Sequence, residues 1–173
     1  ELGIPVKLLN TMDPKAKGTT ISKETGEGLV KAIAAKDGIT AIKIKSARML
    51  LAYGFLRSVF EVFERFKTPI DMITTSEVAV SLTIDDTSNL DKIVSELEAF
   101  GIVEVDNDQS IVCIVGNMVS ETEGVAINIF EALKNVPIRM ISYGGSRHNV
   151  SLVVDGEYKQ KALQSLNDGL FNF

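Results

Sequence analysis

At 173 residues, 45% of them hydrophobic and 24% charged, the chain can bury one good core or two small ones packed together, the profile of an ordinary globular protein. A formal net charge of −5 supplies no basic surface, so neither a nucleic acid nor an anionic membrane is an expected partner. The single cysteine, Cys113, cannot close an internal disulfide and the single histidine, His148, cannot build a histidine-rich metal site; both fit a reducing, cytoplasmic compartment.

In chain order, Glu1-Leu2-Gly3-Ile4-Pro5 has no initiating Met and does not look like a signal peptide, so the chain is expected to be a piece of something longer. Val30-Lys31-Ala32-Ile33-Ala34-Ala35 is a candidate strand. Residues 39–46 alternate in a β-branched stretch that suits another strand. Gly54 opens a segment with Phe55, Leu56, Val59, Phe60, Val62, Phe63 and Phe66 on one broad face, a helix that Pro69 stops. Residues 70–75 read as a strand, and Val78, Val80, Leu82 and Ile84 alternate with small polar residues in a half-buried one. Ser88 can cap a helix carrying Leu90, Ile93, Val94, Leu97 and Phe100, closed by Gly101, and residues 102–105 make a fourth strand. This is β-α-β-β-α-β, the split βαβ order of ferredoxin-like folds. The same plan then recurs as strand 110–115, helix 124–135, strands 138–143 and 148–154, and helix 156–168.

The recurrence is also visible residue by residue. Ile42-Lys43-Ile44-Lys45-Ser46-Ala47-Arg48-Met49 lies over Ile111-Val112-Cys113-Ile114-Val115-Gly116-Asn117-Met118, and Pro69-Ile70-Asp71-Met72-Ile73-Thr74 over Pro137-Ile138-Arg139-Met140-Ile141-Ser142. Val80 to Asp85 lies over Val150 to Asp155, and the offset holds near 70 residues through all three blocks, so the chain is an internal duplication. The second copy ends one strand short, and 30–35 is the spare element. The fold expected is therefore α+β: two ferredoxin-like modules, antiparallel sheets with helices on one face. Residues 39–107 form module 1, inserted within module 2, which consists of 28–36 plus 109–173.

At this point the sequence resembles the tandem ACT region of aspartate kinases, the lysine-sensitive type above all. The residues that carry the resemblance are Ser46 to Leu50, Gly54-Phe55-Leu56 and Ile70-Asp71-Met72-Ile73-Thr74-Thr75-Ser76-Glu77-Val78, then Gly116-Asn117, Ile138 to Ser146 and His148-Asn149. Residues 1–27, with Gly3-Ile4-Pro5-Val6, Asn10-Thr11 and Gly18-Thr19, resemble the tail of the family's kinase domain and a linker. The resemblance implies feedback inhibition of the first step from aspartate toward lysine, threonine and methionine. It further implies an amino-acid effector (lysine, alternatively threonine) and a homodimer through the ACT modules. No Walker-type glycine-rich loop occurs, and the resemblance puts ATP and Mg in a kinase domain outside this chain. The chain is expected to carry no cofactor, metal site or catalytic residue of its own and to be inactive as a kinase. The alternative is a freestanding tandem-ACT sensor or interaction module, against which residues 1–27 speak.

An amino acid presents a carboxylate and an ammonium together. A helix start has free N–H groups for the carboxylate, and Gly54, with the main-chain amides of Phe55 and Leu56, supplies one. Asp71 at a strand start is a fixed anion for an ammonium, and Ser76 and Glu77 lie in the following turn. The resemblance gives an effector role to Met49, Gly54, Phe55, Leu56, Asp71, Thr75, Ser76 and Glu77. The side chains of Phe55 and Leu56 read as core, His148 as structural and Cys113 as a buried small hydrophobe. In module 2, Arg139 stands where module 1 has Asp71, and Glu121-Thr122-Glu123 puts negative charge at the helix start. Module 1 is therefore expected to hold the effector and module 2 to be structural.

Overall fold

Two strands far longer than the others organise the molecule. The computed structural model describes residues 4–21, 29–49, 53–117 and 119–171. Strands β1 (Val6–Leu8) and β2 (Thr19–Ile21) pair with each other in a separate antiparallel hairpin, leaving Val6, Leu8, Leu9, Met12 and Ile21 exposed. The rest follows as β3 (Val30–Lys45), α1 (Phe55–Arg65), β4 (Ile73–Thr75), β5 (Ala79–Ile84), α2 (Leu90–Leu97) and β6 (Ile102–Gly116). The second copy continues as α3 (Val125–Ala132), β7 (Met140–Ser142), β8 (Asn149–Asp155) and α4 (Lys159–Leu170).

The six main strands form one antiparallel sheet in the order β4-β5-β3-β6-β8-β7. The fold class is the α+β, twice-repeated ferredoxin-like arrangement read from the sequence. The copies nevertheless share strands. What reads as separate strands at 30–35 and 39–46 is the single β3, and 102–105 and 110–115 are the single β6. Ala32 to Lys36 pair with Val115 to Ile111, whereas Thr40 to Lys45 pair with Ile84 to Ala79 on one side and, from Ala41, with Asp106 to Ile102 on the other. The segment 30–35 thus pairs with the second copy's first strand in the same chain.

Between the two halves the ladder is bulged twice. Lys36 to Ile39 advance three residues against two from Ile111 to Gln109, and Gln109 to Asp106 then advance three against two from Ile39 to Ala41. Gly38, at φ 71°, takes up the first extra residue without steric cost; Asp108, at φ 55°, takes up the second. One extra residue reverses the face that later side chains occupy. Ile33 therefore packs with the second copy's helices, while Ala41, an even number of residues on, points away from the first copy's helices into a seam.

Each half consequently has its own helix-covered core. Ile42, Ile44, Val59, Val62, Phe63, Val80, Leu82, Ile84, Ile93 and Leu97 build the first; Val112, Ile114, Ile129, Val150, Leu152, Val154, Ala162 and Leu166 build much of the second. The opposite, helix-free faces turn toward each other across Ala41, Met72, Met140 and Val153, so that β4 packs on β7 although they are the two ends of the sheet. The waist is polar: Asp37 accepts from Ser110 Oγ at 2.9 Å and from Lys159 Nζ at 2.6 Å, which holds its carboxyl below the usual range.

Several element edges differ from the sequence reading. Strands expected over 70–75 and 138–143 shrink to three residues each, because Asp71 and Arg139 bond only singly, to Thr83 O and Val153 O. Asn89 rather than Ser88 precedes α2, with no side-chain cap, and Ser88 lies in the preceding turn, where its N–H donates to Asp86 Oδ1. Phe60, placed on the buried face by periodicity, is 40% exposed, at the margin of a stripe that Val59, Val62 and Phe63 already fill. Cys113 is only partly buried, because Val112 and Ile114 take the helix-facing positions on either side of it. No described helix is long and apolar enough to cross a membrane.

Candidate functional site

The start of α1 is shaped by Gly54. At φ 83° and ψ 0° it turns the chain into the helix through the left-handed region, where a Cβ is disfavoured on conformational grounds alone, since it would meet nothing within 4 Å. The first intrahelical bond runs from Ser58 N to Gly54 O at 3.1 Å, which leaves the amides of Phe55 and Leu56 without a partner inside the helix. No acidic residue occupies the first turn, so the partial positive charge there is uncancelled locally. The side chains of Phe55 and Leu56 pack on the module 1 core, and Phe55 meets Phe100 edge to face with ring centroids 6.2 Å apart. Their side chains thus anchor the helix start while their amides remain available.

Met49 closes a short 3-10 turn (Ala47–Met49) after β3, bonds through its N–H to Ser46 O, and packs on the same core. Residues 50–52, the middle of the loop between Met49 and Gly54, lie outside the described residues. Thr75 ends β4 opposite Val80. Ser76 then closes the turn, its N–H donating to Ala79 O at 2.8 Å, and Ser46 N donates to Val78 O at 2.9 Å. Met49, Gly54, Phe55, Leu56, Thr75, Ser76 and Glu77 therefore share one end of the module 1 sheet, where β3 leaves and β5 begins.

Asp71 is not with them. It lies level with Thr83, whose neighbour across the sheet is Ala41, four residues and so about 13 Å along the strand from Thr75. Its carboxylate accepts from Lys36 Nζ at 3.0 Å, and the same ammonium lies 2.7 Å from Asp85 Oδ2. These two aspartates, Asp85 foremost, raise the Lys36 pKa, and Lys36 in turn lowers that of Asp85.

Module 2 repeats this contact with its charges exchanged. Arg139, the counterpart of Asp71, pairs with Asp106, which stands 70 residues after Lys36. Gly124 opens α3 at φ 81° much as Gly54 opens α1. The adjoining loop, however, is closed on itself: Arg147 pairs with Glu121 at 2.8 Å, Ser120 Oγ donates to Ser146 O at 2.6 Å, and Gly116 N bonds His148 O. The negative charge expected from Glu121 is thus partly matched within the loop. The main chain of His148 joins the same loop, its N–H donating to Ser146 Oγ at 3.1 Å.

Sequence reasoning did not find Lys36, Asp85 or Asp106 as the partners of Asp71 and Arg139. The repeat offset carried the signal, since Lys36 aligns with Asp106 as Asp71 aligns with Arg139, and both pairs invert charge. A cavity of about 260 Å³ opens elsewhere, between the helix-free face of module 1 and Ile138–Met140, with Lys43, Ser81, Glu104 and Arg139 in its wall. None of the predicted site residues lines it. Its charges are largely satisfied, Glu104 by Lys45 at 2.6 Å and Arg139 by Asp106.

The ACT domain family model matches residues 112–170. A C-terminal regulatory domain assigned to aspartate kinase from Porphyromonas gingivalis W83 is 54% identical, covering 82% of this chain and 97% of that one at a TM-score of 0.74. The lysine-sensitive aspartokinase 3 of Escherichia coli K12 is 37% identical over 177 residues, covering 97% of this chain and 39% of that enzyme. The E. coli aspartokinase III structure with lysine and aspartate, a T-state, matches 98% of this chain and 40% of that chain at 36% identity and a TM-score of 0.82. Fold, duplication and matches together define a regulatory region built of ACT domains. The chain belongs to the family of C-terminal regulatory regions of aspartate kinases. It spans 39% and 34% of the lengths of the first two curated relatives it matches.

Proposed function

We propose that this chain is the amino-acid-sensing part of an aspartate kinase and that L-lysine is its effector. The parent enzyme would phosphorylate L-aspartate in the cytoplasm with ATP and Mg held by a kinase domain outside this chain. The division proposed is module 1 at 39–107, inserted in a module 2 made of 28–36 and 109–173, with 1–27 as kinase-domain tail and linker. The observation that carries the reading is the start of α1, whose Phe55 and Leu56 amides have no partner among the described residues, at the same end of the sheet as the Thr75–Glu77 turn, in a chain 37% identical to a lysine-sensitive enzyme. The amides of Phe55 and Leu56 suit the effector's carboxylate, and Glu77 and Asp71 suit its two ammonium groups.

Asp71 can complete such a site in a homodimer. Among the described residues β4 pairs only with β5, so its outer edge has no strand. In an antiparallel pairing of two copies about a twofold axis at Ile73, Asp71 of one copy falls opposite Thr75 of the partner subunit, closing the gap within each chain. Effector bound across that junction inhibits by binding the inactive arrangement more tightly than the active one, since equal affinity would shift nothing. Threonine is the second reading; it fits the small hydroxyls of Thr75 and Ser76 and needs only one anion. Titration calorimetry with L-lysine on Asp71→Asn and Arg139→Ala tests the assignment. A loss of tenfold or more for the first with little change for the second supports it; equal losses contradict it.

A further inference from the structure

Lys36 belongs to the half of β3 that pairs with module 2, yet its ammonium sits between Asp71 and Asp85 of module 1. The carboxylate offered to an effector's ammonium is thus already held by an ammonium of the chain itself. Resting on the assignment of Asp71 above, we infer that Lys36 is a built-in competitor of the effector: it occupies Asp71 in the empty site, and binding of a cationic amino acid displaces it onto Asp85.

Three features support this. The three groups are about a quarter to half exposed (49% for the Lys36 side chain, 26% for Asp71, 42% for Asp85), so Lys36 has room to move and an incoming ammonium has access. Asp85, at 2.7 Å, is the nearer carboxylate and can keep the displaced ammonium paired. The matching contact of module 2 has its charges reversed, so the residue at the Asp71 position there is the cation Arg139, which would repel an incoming ammonium. Lys36 is fixed to module 2 through the pairing of Ala35 and Lys36 with Val112 and Ile111, so after the exchange one of its two ion pairs to module 1, that with Asp85, remains.

Opposite-signed substitutions test the inference, with L-lysine titrated calorimetrically into each protein. Lys36→Met keeps the apolar stem and removes the competitor, so affinity rises about two- to fivefold, the range an exposed ion pair supplies. Asp85→Asn leaves Lys36 to rest on Asp71 alone, so affinity falls by a similar factor. Both differences shrink in about 0.5 M salt as charges are screened. An unchanged or weaker Lys36→Met, or both variants shifting the same way as a structural lesion would, overturns the inference while wild-type binding preserves the effector assignment. Absence of L-lysine binding in wild type and both variants overturns that assignment and the inference with it.

Discussion

Replacing Phe63 by alanine removes a ring that is 1% exposed and packed in the module 1 core among Val59, Val62, Leu82, Ile93 and Leu97. Truncation of a buried Phe to Ala costs about 3–5 kcal/mol, lost transfer energy plus the cavity left behind. For a chain of this size about 1 kcal/mol moves Tm by roughly 2–4 °C, so a fall of about 6–20 °C is expected. The more telling quantity is where the loss is felt. Because β3 and β6 run unbroken through both halves, unfolding module 1 strips pairing from strands that module 2 also uses. Native-state hydrogen exchange should therefore show the slowest amides of β5 and of β8 accelerating together, by roughly 100- to 4,000-fold for that energy range. If β5 amides accelerate while those of Val150, Leu152 and Val154 keep wild-type protection, the shared strands do not couple the halves and the reasoning is refuted.

Two further outcomes follow from local features. Gly54→Ala should lower stability by about 1–2 kcal/mol in urea unfolding, because alanine is strained at φ 83° even with open space around its Cβ; Gly145→Ala, with no positive φ and no neighbour within 4 Å, should stay within about 0.5 kcal/mol. The folded-state pKa values of Asp37 and Asp85 are lowered, chiefly by Lys159 and Lys36, so their contribution is present above the ordinary carboxylate pKa near 4 and is lost as pH falls through the folded values. Thermal melts at stepped acid pH should show the declining limb flatten in Asp37→Asn and in Asp85→Asn; an unaltered limb in both would remove these pairs from the account.

The order of elements was legible because each is short, strongly periodic and repeated, and because Gly54, Pro69 and Gly101 punctuate the pattern. The unity of β3 was not, since Asp37-Gly38 reads as a turn and is in fact a bulge: a glycine at positive φ serves either, and only the partner strand decides. The same holds for Asn107-Asp108 in β6, where a non-glycine takes φ 55°. Among the candidate residues, the shared location of those near the start of α1 and the β4–β5 turn was readable from helix-start chemistry and turn residues. The position of Asp71 was not, because distance along a strand from Thr75 is hidden until the register with Thr83 is known. Lys36 was missed for a related reason: its partners lie 35 and 49 residues away and on the other half of the molecule.

The most direct test of the central claim is a thermal-shift screen of this chain against the twenty common amino acids, each at several concentrations. A concentration-dependent rise with L-lysine, absent with the others and abolished in Asp71→Asn, is the predicted result, since a ligand that binds only the folded state raises Tm by mass action. A rise with L-threonine alone would transfer the effector role to threonine. No shift with any amino acid would contradict amino-acid sensing by this chain.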